Sequence, residues 1–164
     1  MRRITLALLA GSLLVGLVAA PVAARRPGPS IVDTAIAVNA ETGEFSTLIA
    51  AVQAADLVDV LNGNRQFTVF APTDAAFAEL GLDAGNIGTL DTAALTNILL
   101  YHVTTGRKDS GDVLAADSLR MLNGQRADVE VSGGSATIDG ATIVAVDIRT
   151  SNGIIHVVDG VLLP

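Results

Sequence analysis

The chain has 164 residues with no cysteine, ten basic and seventeen acidic side chains, and a formal charge of −7. The acidic balance argues against nucleic acid or an anionic membrane surface as a partner. The absence of cysteine excludes disulfides, thiol chemistry and Cys-ligated zinc, so a folded domain here must be held by packing and hydrogen bonds.

At the N-terminus, Arg2-Arg3 followed by the apolar run Ile4 to Val18 and the small residues Val22-Ala23-Ala24 has the layout of a signal peptide with cleavage after Ala24. The run is shorter than the ~20 residues of a typical span, so residues 1–24 are expected to be removed and no stable membrane insertion should remain. Removal takes two arginines and no acid, leaving a formal charge of −9. Residues 25–29, Arg-Arg-Pro-Gly-Pro, read as a short stiff linker. Residues 30–164 fit a single domain.

Ser30 and Asp33 have capping-box spacing, and a helix is expected to about Asn39, with Ile31, Ala35 and Val38 on its apolar face. After Gly43, a second amphipathic run opens at Phe45-Ser46, with Leu48, Ile49, Val52 and Ala55 on one face. Leu57, Val58 and Leu61 suggest a short third helix ending at Asn62-Gly63-Asn64. The run from Phe67 to Ala71 alternates as a strand, and Pro72 ends it because the ladder needs an N–H. Thr73 then occupies an N-cap position, with Asp74 where a helix dipole favours negative charge. Phe67, Phe70 and Phe77 are three of only four phenylalanines, which places the expected centre of the core here.

Gly81 to Gly88 reads as a loop, and Asp91 caps a helix carrying Leu95, Ile98 and Leu99 that ends in Leu100-Tyr101-His102-Val103. From Lys108 the period changes to alternation, in Leu119 to Met121, Val129 to Val131, Ile138, Ile143 to Ile148 and Ile154 to Val158. Asn123-Gly124, Ser132-Gly133-Gly134, Asp139-Gly140 and Asn152-Gly153 between them are hairpin chemistry. Helices, one early strand and then a run of antiparallel strands imply an α+β arrangement around a β-sandwich or a strongly twisted sheet.

Three pieces in order, Thr68-Val-Phe-Ala-Pro-Thr-Asp-Ala-Ala-Phe77, Tyr101-His102 and Asn152-Gly-Ile-Ile-His-Val-Val-Asp-Gly-Val-Leu-Leu-Pro164, together resemble the conserved boxes of a fasciclin-type (FAS1) domain. The resemblance runs over about residues 30–164. It implies a wedge of antiparallel strands with several packed helices, and a role in adhesion or extracellular interaction rather than catalysis. Thr68, Phe70, Pro72, Thr73, Asp74, Phe77, His156 and Asp159 then become structural motif residues. The positions matching those implicated in receptor binding by animal relatives are Tyr101-His102 and Asp147-Ile148. Some relatives bind pigments, so the resemblance also admits a carrier of an apolar ligand such as a carotenoid, with Leu99, Leu100 and Tyr101 as candidate walls of a groove between helices.

No nucleophile elbow, His-Glu-x-x-His, P-loop or dinucleotide fingerprint occurs, so neither an enzyme nor a cofactor is expected. His102 and His156 would be metal ligands only with a third group brought near, Asp159 being closest in sequence; as buried neutral imidazoles they would instead need hydrogen-bond partners. Asp159-Gly160 reads as a turn whose carboxylate accepts local N–H bonds. The pairs Asp56/Asp59 and Asp109/Asp112 lack the density of a calcium loop and read as a solvated acidic face. The expected product is a secreted module, periplasmic or extracellular, that meets a protein or polysaccharide partner.

Overall fold

The computed structural model describes residues 28–164, so the expected signal peptide and most of the linker lie outside the described residues. Helix α1 (Ile31–Thr42) opens with the expected capping box, in which Ser30 and Asp33 satisfy each other's amides, and closes on Gly43 in the left-handed conformation. It runs three residues past the expected end. Helix α2 (Ser46–Ala54) follows Phe45, whose side chain cannot cap it. The cap comes from a distance: the Asp74 carboxylate accepts from the Ser46 amide at 3.2 Å and the Thr47 amide at 2.8 Å. The helix α3 (Val58–Asn62) then leads to strand β1 (Phe67–Pro72). Thr73 caps α4 (Asp74–Glu79) through the Ala76 amide, so Asp74 serves both helices.

After a short 3-10 turn at Ile87–Thr89, Asp91 caps α5 (Thr92–Tyr101), and His102 leads into β2 (Val103–Thr105). Alternation does not begin at Lys108. Asp109 caps a further helix, α6 (Ser110–Leu114), by accepting from the Asp112 amide. The pair read as a solvated acidic face is therefore in part a helix start, which five residues are too few to announce by periodicity. The remaining strands are β3 (Ser118–Arg120), β4 (Arg126–Ser132), β5 (Ser135–Ile138), β6 (Ala141–Arg149) and β7 (Gly153–Val158). Two-residue turns at Gly133-Gly134 and Asp139-Gly140, all at positive φ, make the β4–β5 and β5–β6 hairpins tight, as the sequence predicts.

All seven strands form one mixed sheet in the order β2-β1-β7-β6-β5-β4-β3. The arrangement is α+β, as expected, but the strands are not all antiparallel: β1 runs parallel to β7, from Phe67 opposite Gly153 to Pro72 opposite Val158. A strand rejoined after a long helical excursion can lie parallel to its partner, which a hairpin cannot. The sheet curls until its ends meet, with Thr104 of β2 bridging to Met121 and its hydroxyl bonded to the Arg120 carbonyl at 2.8 Å.

Strand β1 divides two cores rather than centring one. Phe67, Val69 and Ala71 face the helices, together with Phe77, Leu48, Leu61, Leu95 and Leu99. Phe70 faces the opposite way, into the curled sheet, with Tyr101, Leu119, Met121, Ile138, Val158 and Leu162. The three phenylalanines expected to share one centre are thus split by the period of two along a strand.

Candidate functional site

His102 follows the last turn of α5 and is buried. Its Nδ1 lies 2.7 Å from the Ile98 carbonyl, one helical turn back, and its Nε2 accepts from the Leu162 amide at 2.9 Å. Those partners fix the tautomer: Nδ1 carries the proton and Nε2 accepts. Burial pushes the imidazole down to about 4, opposed only by the Ile98 carbonyl, so the ring is neutral near pH 7.

His156 on β7 is fully buried and stacks on Phe70, with ring centroids 5.5 Å apart. Here the tautomer is reversed: Nδ1 accepts from the Asp147 amide at 3.3 Å, and Nε2 donates to the Lys108 carbonyl at 2.9 Å. All four ring nitrogens of the two histidines are therefore bonded to main chain, one on each ring to a segment far away in sequence, Leu162 for His102 and Lys108 for His156. Asp159 is engaged elsewhere, so it supplies no third ligand. Its carboxylate accepts from the Thr142 amide at 2.7 Å, across the β6–β7 ladder rather than locally as expected. Among the described residues no group of three or more His, Asp or Glu is placed to hold a metal ion.

Serine, aspartate and histidine do meet around the β6 irregularity, but in an order that supports no hydrolysis. Asp147, at φ 60°, accepts from both the amide and the hydroxyl of Ser110 at 2.7 Å, which fastens the start of α6. The Ser110 hydroxyl holds the Asp147 carboxyl below its usual range, with burial opposing and the Ser110 amide and the Arg149 charge adding to it. The serine thus donates its hydrogen bond to the carboxylate, and neither imidazole nitrogen of His156 is free to act as its base.

Of the proposed interaction residues, Leu99 is buried in the helical core, and Tyr101 is buried in the curled sheet. The Tyr101 hydroxyl lies 3.1 Å from both the Arg126 carbonyl and the Asp139 carboxylate, and burial, with the Asp139 charge adding, pushes the phenol up to about 12. Ile148 is half-buried against the helical core. Leu99, Leu100 and His102 share the wall of an apolar cavity of about 50 Å³ enclosed by α1, α2, α3, α5 and β1. Tyr101, proposed as a third wall, points away from it because successive residues on a helix diverge by about 100°.

The Thr68 hydroxyl donates to the Gly106 carbonyl and accepts from the Lys108 amide, each at 2.8 Å, fixing the loop before α6. Sequence reasoning read Asn152 as a turn and as the start of a conserved box, and missed what its side chain holds. Its buried side chain accepts from the Ile31 amide at 2.8 Å and donates to the Leu61 carbonyl, tying the β6–β7 turn to two helices. Gly153 beside it is required for close approach, since a Cβ there would overlap the Phe67 carbonyl.

Comparison with known proteins gives a consistent result. Residues 43–164 match the model of the fasciclin domain family. The chain is 41% identical over 135 residues to protein sll1483 of Synechocystis sp., covering 80% of this chain and 73% of that one. It is 35% identical over 164 residues to the immunogenic protein MPT70 of Mycobacterium tuberculosis, covering 92% and 82%. The solved FAS1 domain pair of the insect cell adhesion molecule fasciclin I has the same fold, with a TM-score of 0.67 at 20% identity over 83% of this chain and 51% of that one.

Proposed function

The chain belongs to the fasciclin domain family, and on that premise we propose that it is a secreted, non-catalytic module for adhesion or for interaction at the cell surface or matrix. The family is associated with adhesion and cell-surface proteins and is generally non-catalytic. The observation that carries the reading is the use made of the reactive groups: every imidazole nitrogen is hydrogen-bonded to main chain, and the hydroxyls of Ser30 and Ser110 each donate to a carboxylate, of Asp33 and of Asp147, rather than to an imidazole. Recognition then falls to the outer surface, acidic overall and carrying exposed Val131, Val144 and Val146 on β4 and β6. Export is supported by the signal-peptide layout of residues 1–24, and no helix among the described residues is long and apolar enough to cross a membrane. The partner is an extracellular protein or polysaccharide, bound by surface complementarity. Comparing a deletion strain with its parent tests this: attachment to surfaces or cell aggregation should fall and recover with the exported protein, and unchanged attachment across surfaces sinks the reading.

A second reading, carriage of an apolar ligand, is favoured by the cavity beside Leu99 and Leu100. At about 50 Å³ it is far smaller than the roughly 300–1,000 Å³ of typical ligand pockets, so a carotenoid would have to part the helices around it. Protein purified from its host and examined by visible spectroscopy, organic extraction and mass spectrometry separates the two readings. A stoichiometric chromophore favours carriage, and a colourless, lipid-free preparation favours adhesion.

A further inference from the structure

Beyond Asp159 the chain leaves the sheet, and Gly160 to Pro164 form an irregular segment. Among the described residues, one hydrogen bond joins this segment to the rest of the fold, from the Leu162 amide to His102 Nε2. The Leu162 side chain is buried in the curled-sheet core, and Val161 packs against the helical core. The last five residues thus lie across both cores and have a single polar anchor, which works only while the imidazole nitrogen has a lone pair.

We infer that His102 is an acid-sensitive latch: protonation at Nε2 turns the acceptor into a donor facing the Leu162 N–H, and the segment Gly160–Pro164 is released while the sheet stays folded. The other ring nitrogen offers no escape, because Nδ1 already donates to Ile98 and both nitrogens would then carry protons. Nothing nearby compensates the new charge. Helix α2 and strands β1 and β2 contain no ionisable side chain, neither does the segment itself, and α5 brings only Tyr101, whose phenol stays neutral and is buried in the curled sheet. On the other elements around the ring, α1 brings only Asp33 and Glu41 and α3 only Asp59, all exposed, and β7 brings only His156, which faces Phe70 and the loop at Lys108.

Release is local because the segment joins no strand ladder, and the Asp159–Thr142 pair of bonds stops the opening at the end of β7. The ring is held near 4 while docked, against ~6.5 when exposed. Release frees the lone pair of Nε2 and uncovers that side of the ring, so the open form binds the proton more tightly than the docked one and acid shifts the equilibrium toward it. Opening frees Val161 and Leu162 next to the already exposed Leu163, creating a run of three exposed apolar residues.

The test is a proton titration of the uniformly 15N-labelled protein followed by NMR from about pH 7 to about pH 4. The expected result is that the amide signals of Val161, Leu162 and Leu163 move toward free-peptide positions in one step with the His102 ring, while Val69 and Ile155 keep their native shifts. A His102→Gln variant, whose amide can donate to Ile98 and accept from Leu162 at any pH, should keep the segment docked throughout. The inference is overturned if β1 and β7 signals are lost together with Leu162, if the ring titrates without moving Leu162, or if nothing moves by about pH 4. The wild-type titration decides the matter even where the variant does not fold.

Discussion

On the helical side of the β1–β7 pair the interior is almost wholly apolar, keeps a cavity of about 50 Å³, and leaves the buried Thr34 hydroxyl of α1 with no hydrogen-bond partner among the described residues. Inside the curled sheet, Tyr101, Thr104 and His156 are buried too, but each polar atom is bonded to a specific carbonyl, carboxylate or amide. The difference separates two ways of making a core. Apolar packing is non-directional and tolerates a void or one unsatisfied hydroxyl, whereas a buried polar network is stable only when complete. The helical layer should therefore accept substitution and the curled sheet should resist it.

The largest effect is expected at Phe70, which is fully buried in the sheet core and stacked on His156. Phe70→Ala should cost about 3–5 kcal/mol in chemical denaturation, and a loss below that of a helical-side Leu99→Ala would break the comparison. Acid comes next. Because the His102 pKa is lowered on folding to about 4, its contribution is fully present above ~6.5 and is lost as pH falls toward 4, reaching roughly 3 kcal/mol. Denaturation midpoints measured across that window should fall toward acid, and a His102→Gln variant should flatten that part of the curve.

Asn152 joins the two regions, so Asn152→Ala should cost about 2–3 kcal/mol by orphaning the Ile31 amide and the Leu61 carbonyl. A near-neutral result in urea titration would mean that water replaces both bonds. Thr73→Ala removes one cap bond to Ala76 and should cost about 1 kcal/mol. The smallest change should be a gain: Thr34→Val replaces an unpartnered buried hydroxyl with a methyl of similar shape and should stabilise by up to about 1 kcal/mol. A thermal melt showing loss instead would place a partner on that hydroxyl and remove the contrast between the two cores.

What the sequence made legible was local. The Ser30–Asp33 box, the Thr73 and Asp91 caps and the Gly133-Gly134 and Asp139-Gly140 turns each act within a few residues, and each stands where it was read. The parallel β1–β7 pairing, the Asp74 cap on α2 and the Asn152 ties were illegible because their partners lie tens of residues away and impose no period. A hint existed for one of them: α2 begins after Phe45, a residue that cannot cap, so its amides had to be met from outside. Of the candidate site, Leu99, Leu100 and His102 do share a cavity wall. Sequence alone could not turn Tyr101 away from them or give Asp147 to Ser110, since both outcomes depend on how the sheet curls.

The parallel pair at the centre also dictates an order of assembly. Strand β1 meets β7 across 86 positions of chain, Phe67 opposite Gly153, so both cores stay open until residues near the C-terminus are present. Loop closure over such a distance is slow compared with hairpin formation. The β4–β5 and β5–β6 hairpins can form early, but they have nothing to close against until β7 docks between β6 and β1. A chain interrupted just before Gly153 keeps every helix and the β4–β5 and β5–β6 hairpins in sequence, yet lacks the strand that joins β6 to β1.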